Sequence, residues 1–250
     1  MKLIDNLKAS WKTIMEQPKE ERFSYFWDYY KWPAIIAVVL VIALISTIFS
    51  IANRKETVFT AYVLNSTSVP KDEEFLQDFF DYAGLDSETM EAAIYSDMYL
   101  HPGQNQKNAE VFQRIMAGIG IKEADVIIGQ EDPFRICAYN TSRMFADLRN
   151  FLDAETLEML SDRLYYIDGA IVEKLSAPVG QSVNTAGIIY PHPDKPELME
   201  DPIPVGIAVG DREELRSAYY HSPNTVVYMG VIVNTQRSEL VKQLIHYLFP

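Results

Sequence analysis

The stretch FSYFWDYYKWPAIIAVVLVIALISTIFSIANRK, Phe23–Lys55, divides the chain and decides how everything after it is read. From Pro33 to Ala52 it holds 20 residues without a charge, and its polar side chains are those of Ser46, Thr47 and Ser50. At a rise of about 1.5 Å per residue, a helix of about 20 residues crosses the roughly 30 Å hydrocarbon core of a bilayer. The three hydroxyls can bond back to carbonyls of their own helix. A core helix of a globular protein keeps a polar face, and this run has none. Cleavage as a signal peptide is the competing reading, with Ser50-Ile51-Ala52 as the small-x-small site. Against it, 32 residues precede the run, which is longer than the usual apolar stretch of about 7–15. The segment 33–52 therefore reads as an uncleaved transmembrane helix.

The flanks orient it. Lys2, Lys8, Lys12, Lys19, Arg22 and Lys31 precede the span, and Arg54, Lys55 and Lys71 follow it. Basic residues stay on the cytoplasmic side, so the N-terminus is expected in the cytoplasm and residues 53–250 outside the cell membrane. Seven of the ten residues Phe23–Trp32 are aromatic. Such rings suit the headgroup layer, with an apolar body in lipid and a polar edge in water. Further upstream, Leu3, Leu7, Trp11 and Ile14 recur at helical spacing, with Ile4 and Met15 beside them and Lys2, Lys8 and Lys12 off the stripe. That pattern predicts an amphipathic helix on the inner membrane surface, ended by Pro18. Three regions result: a juxtamembrane segment 1–32, the span 33–52 and an outer domain 53–250.

Charge separates these regions as clearly as hydropathy does. Residues 1–52 carry a net +1 and residues 53–250 a net −14. A surface that acidic repels phosphate backbones, which argues against nucleic acid as a partner. Cys137 is the one cysteine, so no internal disulfide forms, and it reads as a small buried apolar residue.

The outer domain alternates strand-like and helix-like runs. VFTAYVL (Val58–Leu64), AAIYSDMYL (Ala92–Leu100), DVIIG (Asp125–Gly129), VGIAV (Val205–Val209) and VVYMGVIV (Val226–Val233) read as strands. DVIIG is short and wholly apolar after its Asp, the mark of a strand buried on both faces. Helical stripes run through Phe75–Phe80, Val111–Ile119 and Leu240–Leu248, and Asp153 caps a helix containing Leu157 and Leu160. Asp211 and Glu214 have the spacing of a capping box opening a helix through Tyr219. Ser176–Pro204 holds six prolines and reads as a long loop. The alternation implies an α/β layer fold.

GIKEADVIIGQEDPFRICA, followed by MFADLRNFLDAETLEML, resembles extracytoplasmic solute-binding proteins. In that family a strand ending in Asp-Val-apolar-apolar-Gly leads into a helix, then an Asp-Leu pair and a short helix. Here these are Asp125–Gly129, Glu131–Ala138 and Asp147-Leu148. The run MGVIVNTQRSELVKQLIHYLF is similar to the family's closing strand, turn and helix, and YYKWP before a span is similar to single-pass membrane proteins of Gram-positive bacteria. The resemblance implies a type 2 periplasmic-binding-protein fold, complete or reduced, on a single-pass anchor. A full binding protein commonly needs a longer chain for two lobes.

In open α/β sheets ligands bind beyond the carboxyl ends of strands. Two such ends are polar. Asn65, Ser66 and Thr67 follow the first strand, and Gly129, Gln130, Glu131 and Asp132 follow the buried one. These seven are the candidate ligand-binding residues, with ordinary turn and cap chemistry as the competing explanation. His101, His192, His221 and His246 lack metal-ligand spacing. No nucleophile elbow or phosphate loop occurs. The expected function is thus a non-catalytic, membrane-anchored extracytoplasmic binding protein without metal or cofactor. Its partners are the lipid bilayer and a small solute or a membrane protein. Alternatives are an envelope hydrolase using outer-domain carboxylates and a membrane-complex subunit docking through its aromatic N-terminus.

Overall fold

The computed structural model describes residues 22–66, 72–103, 105–176, 187–220 and 225–250, with Met15 and Pro18. The amphipathic stripe upstream of Met15 and most side chains of the aromatic cluster lie outside these residues. The chain divides into two compact units, one ending at Arg54 and one running Lys55–Pro250.

The first unit holds one long helix, α1 (Arg22–Ala52). Its apolar side chains from Ile35 to Ile51 are exposed, Phe49 and Ile51 to about 70%. Lys31–Ile51 is long and apolar enough to cross a membrane, and none of its most apolar window is buried in the protein. Thr47 Oγ1 donates to the Ala43 carbonyl at 2.8 Å, the internal bonding that an apolar helix needs for its hydroxyls. Asn53 closes the helix, its amide and side chain both donating to the Phe49 carbonyl. Trp27 and Trp32 are exposed on it.

The second unit is α/β. In chain order it runs β1 (Glu56–Leu64), α2 (Asp72–Ala83), β2 (Met90–Met98), α3 (Asn105–Gly120), β3 (Val126–Gln130) and α4 (Glu131–Ala138). Then follow α5 (Leu148–Phe151), α6 (Ala154–Met159), β4 (Leu164–Asp168), α7 (Gly169–Leu175), β5 (Pro202–Ala208), α8 (Glu213–Tyr219), β6 (Val227–Val231) and α9 (Ser238–Leu248). One mixed sheet takes all six strands in the order β2-β1-β3-β6-β5-β4. β2, β1 and β3 are parallel, while β6 runs antiparallel to both β3 and β5, and β4 antiparallel to β5.

Alternation along β1 explains the layering. Phe59, Ala61 and Val63 point into one core, Tyr62 and Leu64 into another. The first core takes side chains of α2, α8 and α9, the second those of α3, α4 and α7. Helices thus cover both faces, and β3 is buried throughout its apolar run, as DVIIG predicts.

Three local readings need correction. Asp211 does not cap α8. The helix starts from Arg212 without a side-chain cap, because Asp211 is taken by the guanidinium groups of Arg163 and Arg212. Pro202 and Pro204 belong to β5 rather than to the preceding loop. They lie where β5 has β4 as its partner and pairing with β6 has not begun, a local edge that tolerates a missing N–H. β4 and α7 were not expected from periodicity at all.

Two glycines admit an aromatic stack. A Cβ at Gly206 would lie 2.6 Å from Phe134, and one at Gly230 2.6 Å from Phe145. Phe134 and Phe145 stack with centroids 5.0 Å apart.

Candidate functional site

The carboxyl ends of β1 and β3 lie side by side, Leu64 in register with Gly129. From β1 the chain leaves toward the face of α2, and from β3 toward the face of α4. This divergence makes the end of β1 and β3 the switch point where a crevice opens in such sheets. The fold therefore brings Asn65, Ser66, Gly129 and Gln130 together. Glu131 and Asp132 follow in the first turn of α4, where acids complement the helix dipole. Thr67 lies outside the described residues.

Most of these groups have partners. Asn65 adopts φ +53°, a left-handed turn that Asn tolerates. Its side chain donates to the Leu100 carbonyl at 3.0 Å and accepts from the Leu100 amide at 2.8 Å, tying the end of β1 to the exit of β2. Gln130 Nε2 donates to the Asn65 carbonyl at 3.4 Å. Ser66 is buried and donates to the Tyr219 carbonyl at 3.2 Å. The Tyr220 phenol donates to the Leu64 carbonyl at 2.6 Å, and burial pushes its pKa well up. Gly129 packs against Leu64, where a Cβ would sit 3.2 Å from the Leu64 side chain. Asp132 pairs with Arg135 at 2.5 Å on an exposed helix turn. The switch point thus presents a polar rim of Gln130, Glu131 and Asp132 over a floor closed by Ser66 and Tyr220.

A second group lies at the amino end of the parallel strands. Asp125, fully buried, accepts from the Thr60 amide at 2.8 Å, the Thr235 hydroxyl at 2.5 Å and Arg237 at 3.1 Å. Arg237 also donates to the carbonyls of Thr57 and Glu123. Burial raises the Asp125 pKa, and its Thr235, Thr60 and Arg237 partners pull against that rise. Every donor here is a strand or turn group, so the arrangement is a brace.

Near the same end, on the face of α4 and α7, is a cavity of 270 Å³. Phe145, Ile167, Val172 and Val205 wall it, and Arg143 and Asp147 stand at its lining. Asp147 caps α5 and is held by Arg149 Nη2 at 2.6 Å. Burial would raise the Asp147 carboxyl, but the bonds from Arg149 outweigh it and keep its pKa low. Close by, Asp168 caps α7 and also accepts from the amides of Glu200 and Asp201, each at 3.1 Å. Burial opposes ionisation of Asp168, and these amides together with that of Ala170 prevail, holding its pKa below the usual carboxylate range. No local sequence signal marks this cavity, since its walls come from positions 138 to 233.

His192 pairs with Asp194 on an exposed turn. Among the described residues no group of three or more His, Cys, Asp or Glu side chains is arranged to hold a metal ion. Cys137 is wholly buried, and desolvation pushes its thiol up to about 12. Comparison with protein-family models, with curated proteins and with solved structures returned no match.

Proposed function

We propose that the protein is a membrane-anchored, extracytoplasmic, non-catalytic binding protein for a small solute or a protein partner. The observation that carries this reading is α1. Its apolar side chains lie exposed over a length that matches a bilayer, which no soluble helix tolerates without cover. The excess of basic residues before the span supports a cytoplasmic N-terminus. The parallel trio β2-β1-β3 flanked by antiparallel β6 supports a reduced type 2 binding-protein fold, a single sheet standing for one lobe. So does the succession of β3, α4 and the Asp147-capped α5. The perturbed carboxylates Asp86, Asp125, Asp147, Asp153, Asp168 and Asp211 are each engaged by backbone amides, hydroxyls or guanidinium groups, which favours binding over acid–base chemistry.

The test uses the full chain in lipid nanodiscs. A thermal-shift screen of small solutes is run beside affinity purification from membranes of the native host. A saturable ligand or a stoichiometric partner is expected. Finding neither, or finding turnover of a screened compound, overturns the reading.

A further inference from the structure

We infer that the cavity between α7, β4 and β5 binds a small amphipathic anion, a carboxylate on a short apolar body. This rests on the binding-protein reading and gives it a ligand class. The cavity walls Phe145, Ile167, Val172 and Val205 are apolar and buried, so they select an apolar body. A cavity of about 150 Å³ accommodates benzene. In proportion, 270 Å³ takes about ten or eleven heavy atoms, the size of octanoate.

The polar end follows from the pairing of the surrounding charges. Asp147 is neutralised by Arg149, which also feels the charge of Asp201. Asp168 is satisfied by the three amides of Ala170, Glu200 and Asp201. Lys174 lies 3.7 Å from Glu200. Arg143 is the cavity-lining cation that makes no ion pair among the described residues, and it stands exposed at the turn after α4 with φ +47°. In a domain of net charge −14, a guanidinium beside an apolar cavity is an unused anion receptor.

The experiment titrates octanoate, octan-1-ol and octylammonium into the full chain in nanodiscs, with empty nanodiscs as the blank. Octanoate is expected to bind saturably at one site, about tenfold tighter than octanol, the gain of one charge-assisted contact. Arg143→Gln should remove that preference and leave octanol binding unchanged. Val205→Phe should fill the cavity and abolish both, with its melting transition checked to confirm folding. Equal binding of all three probes, a preference for octylammonium, no saturable binding, or an unaltered preference in Arg143→Gln overturns the assignment. If octanoate fails while a protein partner co-purifies, the ligand class falls and the broader binding function stands.

Discussion

Arg237 and Asp125 show how one charge pair can hold three distant segments. The carboxylate is buried, and the guanidinium, carried by the turn before α9, reaches β1 and the entry to β3. Removing one partner strands the other in a poorly solvated site, which costs about 3–5 kcal/mol. Arg237→Ala is therefore expected to lower the unfolding free energy by that amount in urea titration. Asp168 gives the pH dependence. Its pKa is depressed in the folded protein, so its contribution is fully present above the unfolded value near 3.8. That contribution is lost as pH falls through the lower folded value. Asp168→Asn should be less stable at neutral pH and should show a flatter loss of stability on acidification than the native chain. Reading polar residues at strand ends picks out two segments that the parallel register of β1 and β3 sets side by side. It could not show that Asn65 spends both ends of its amide on Leu100, because that partner lies 35 residues away, just past the end of another strand.

Elements were readable where a period had room to repeat. β1, α2, α3 and α9 are 9 to 16 residues long, and their patterns predict them. β4 was missed because Leu164, Tyr165, Ile167 and Asp168 are all buried, leaving no alternation over five residues. α7 spans seven residues, too short for a stripe, and its start is defined by the Asp168 cap. In β5 the prolines disguise the opening residues 202–204 as loop, while Val205–Val209 reads as a strand. The glycines of β5 and β6 were silent in the sequence and matter in the packing. Gly230→Ala places a methyl against both Phe145 and Phe134, and overpacking of this kind costs about 1–3 kcal/mol. Phe145→Leu in the same chain should recover part of the loss, measured as a double-mutant cycle by thermal unfolding.

For the whole molecule, the charge-free run of the sequence ends at Ala52 and the first compact unit of the structure at Arg54, and bilayer length and sheet formation impose unrelated patterns on the two sides. The proposed orientation has a direct check. Alkaline phosphatase fused after Pro250 should be active in cells if the second unit lies outside, and the same enzyme fused before Met1 should be inactive. Reversed activities would invert the topology. One further property follows from the strand order. β6 sits in the middle of the sheet, between β3 and β5, yet it follows the other five strands in the chain. Synthesis therefore supplies both flanks before the strand that joins them. Until Val227–Val231 has emerged, β1–β3 and β4–β5 are separate pieces with raw inner edges. The nascent polypeptide therefore stays uncommitted until this late strand has emerged, and its unpaired inner edges are open to proteases until then.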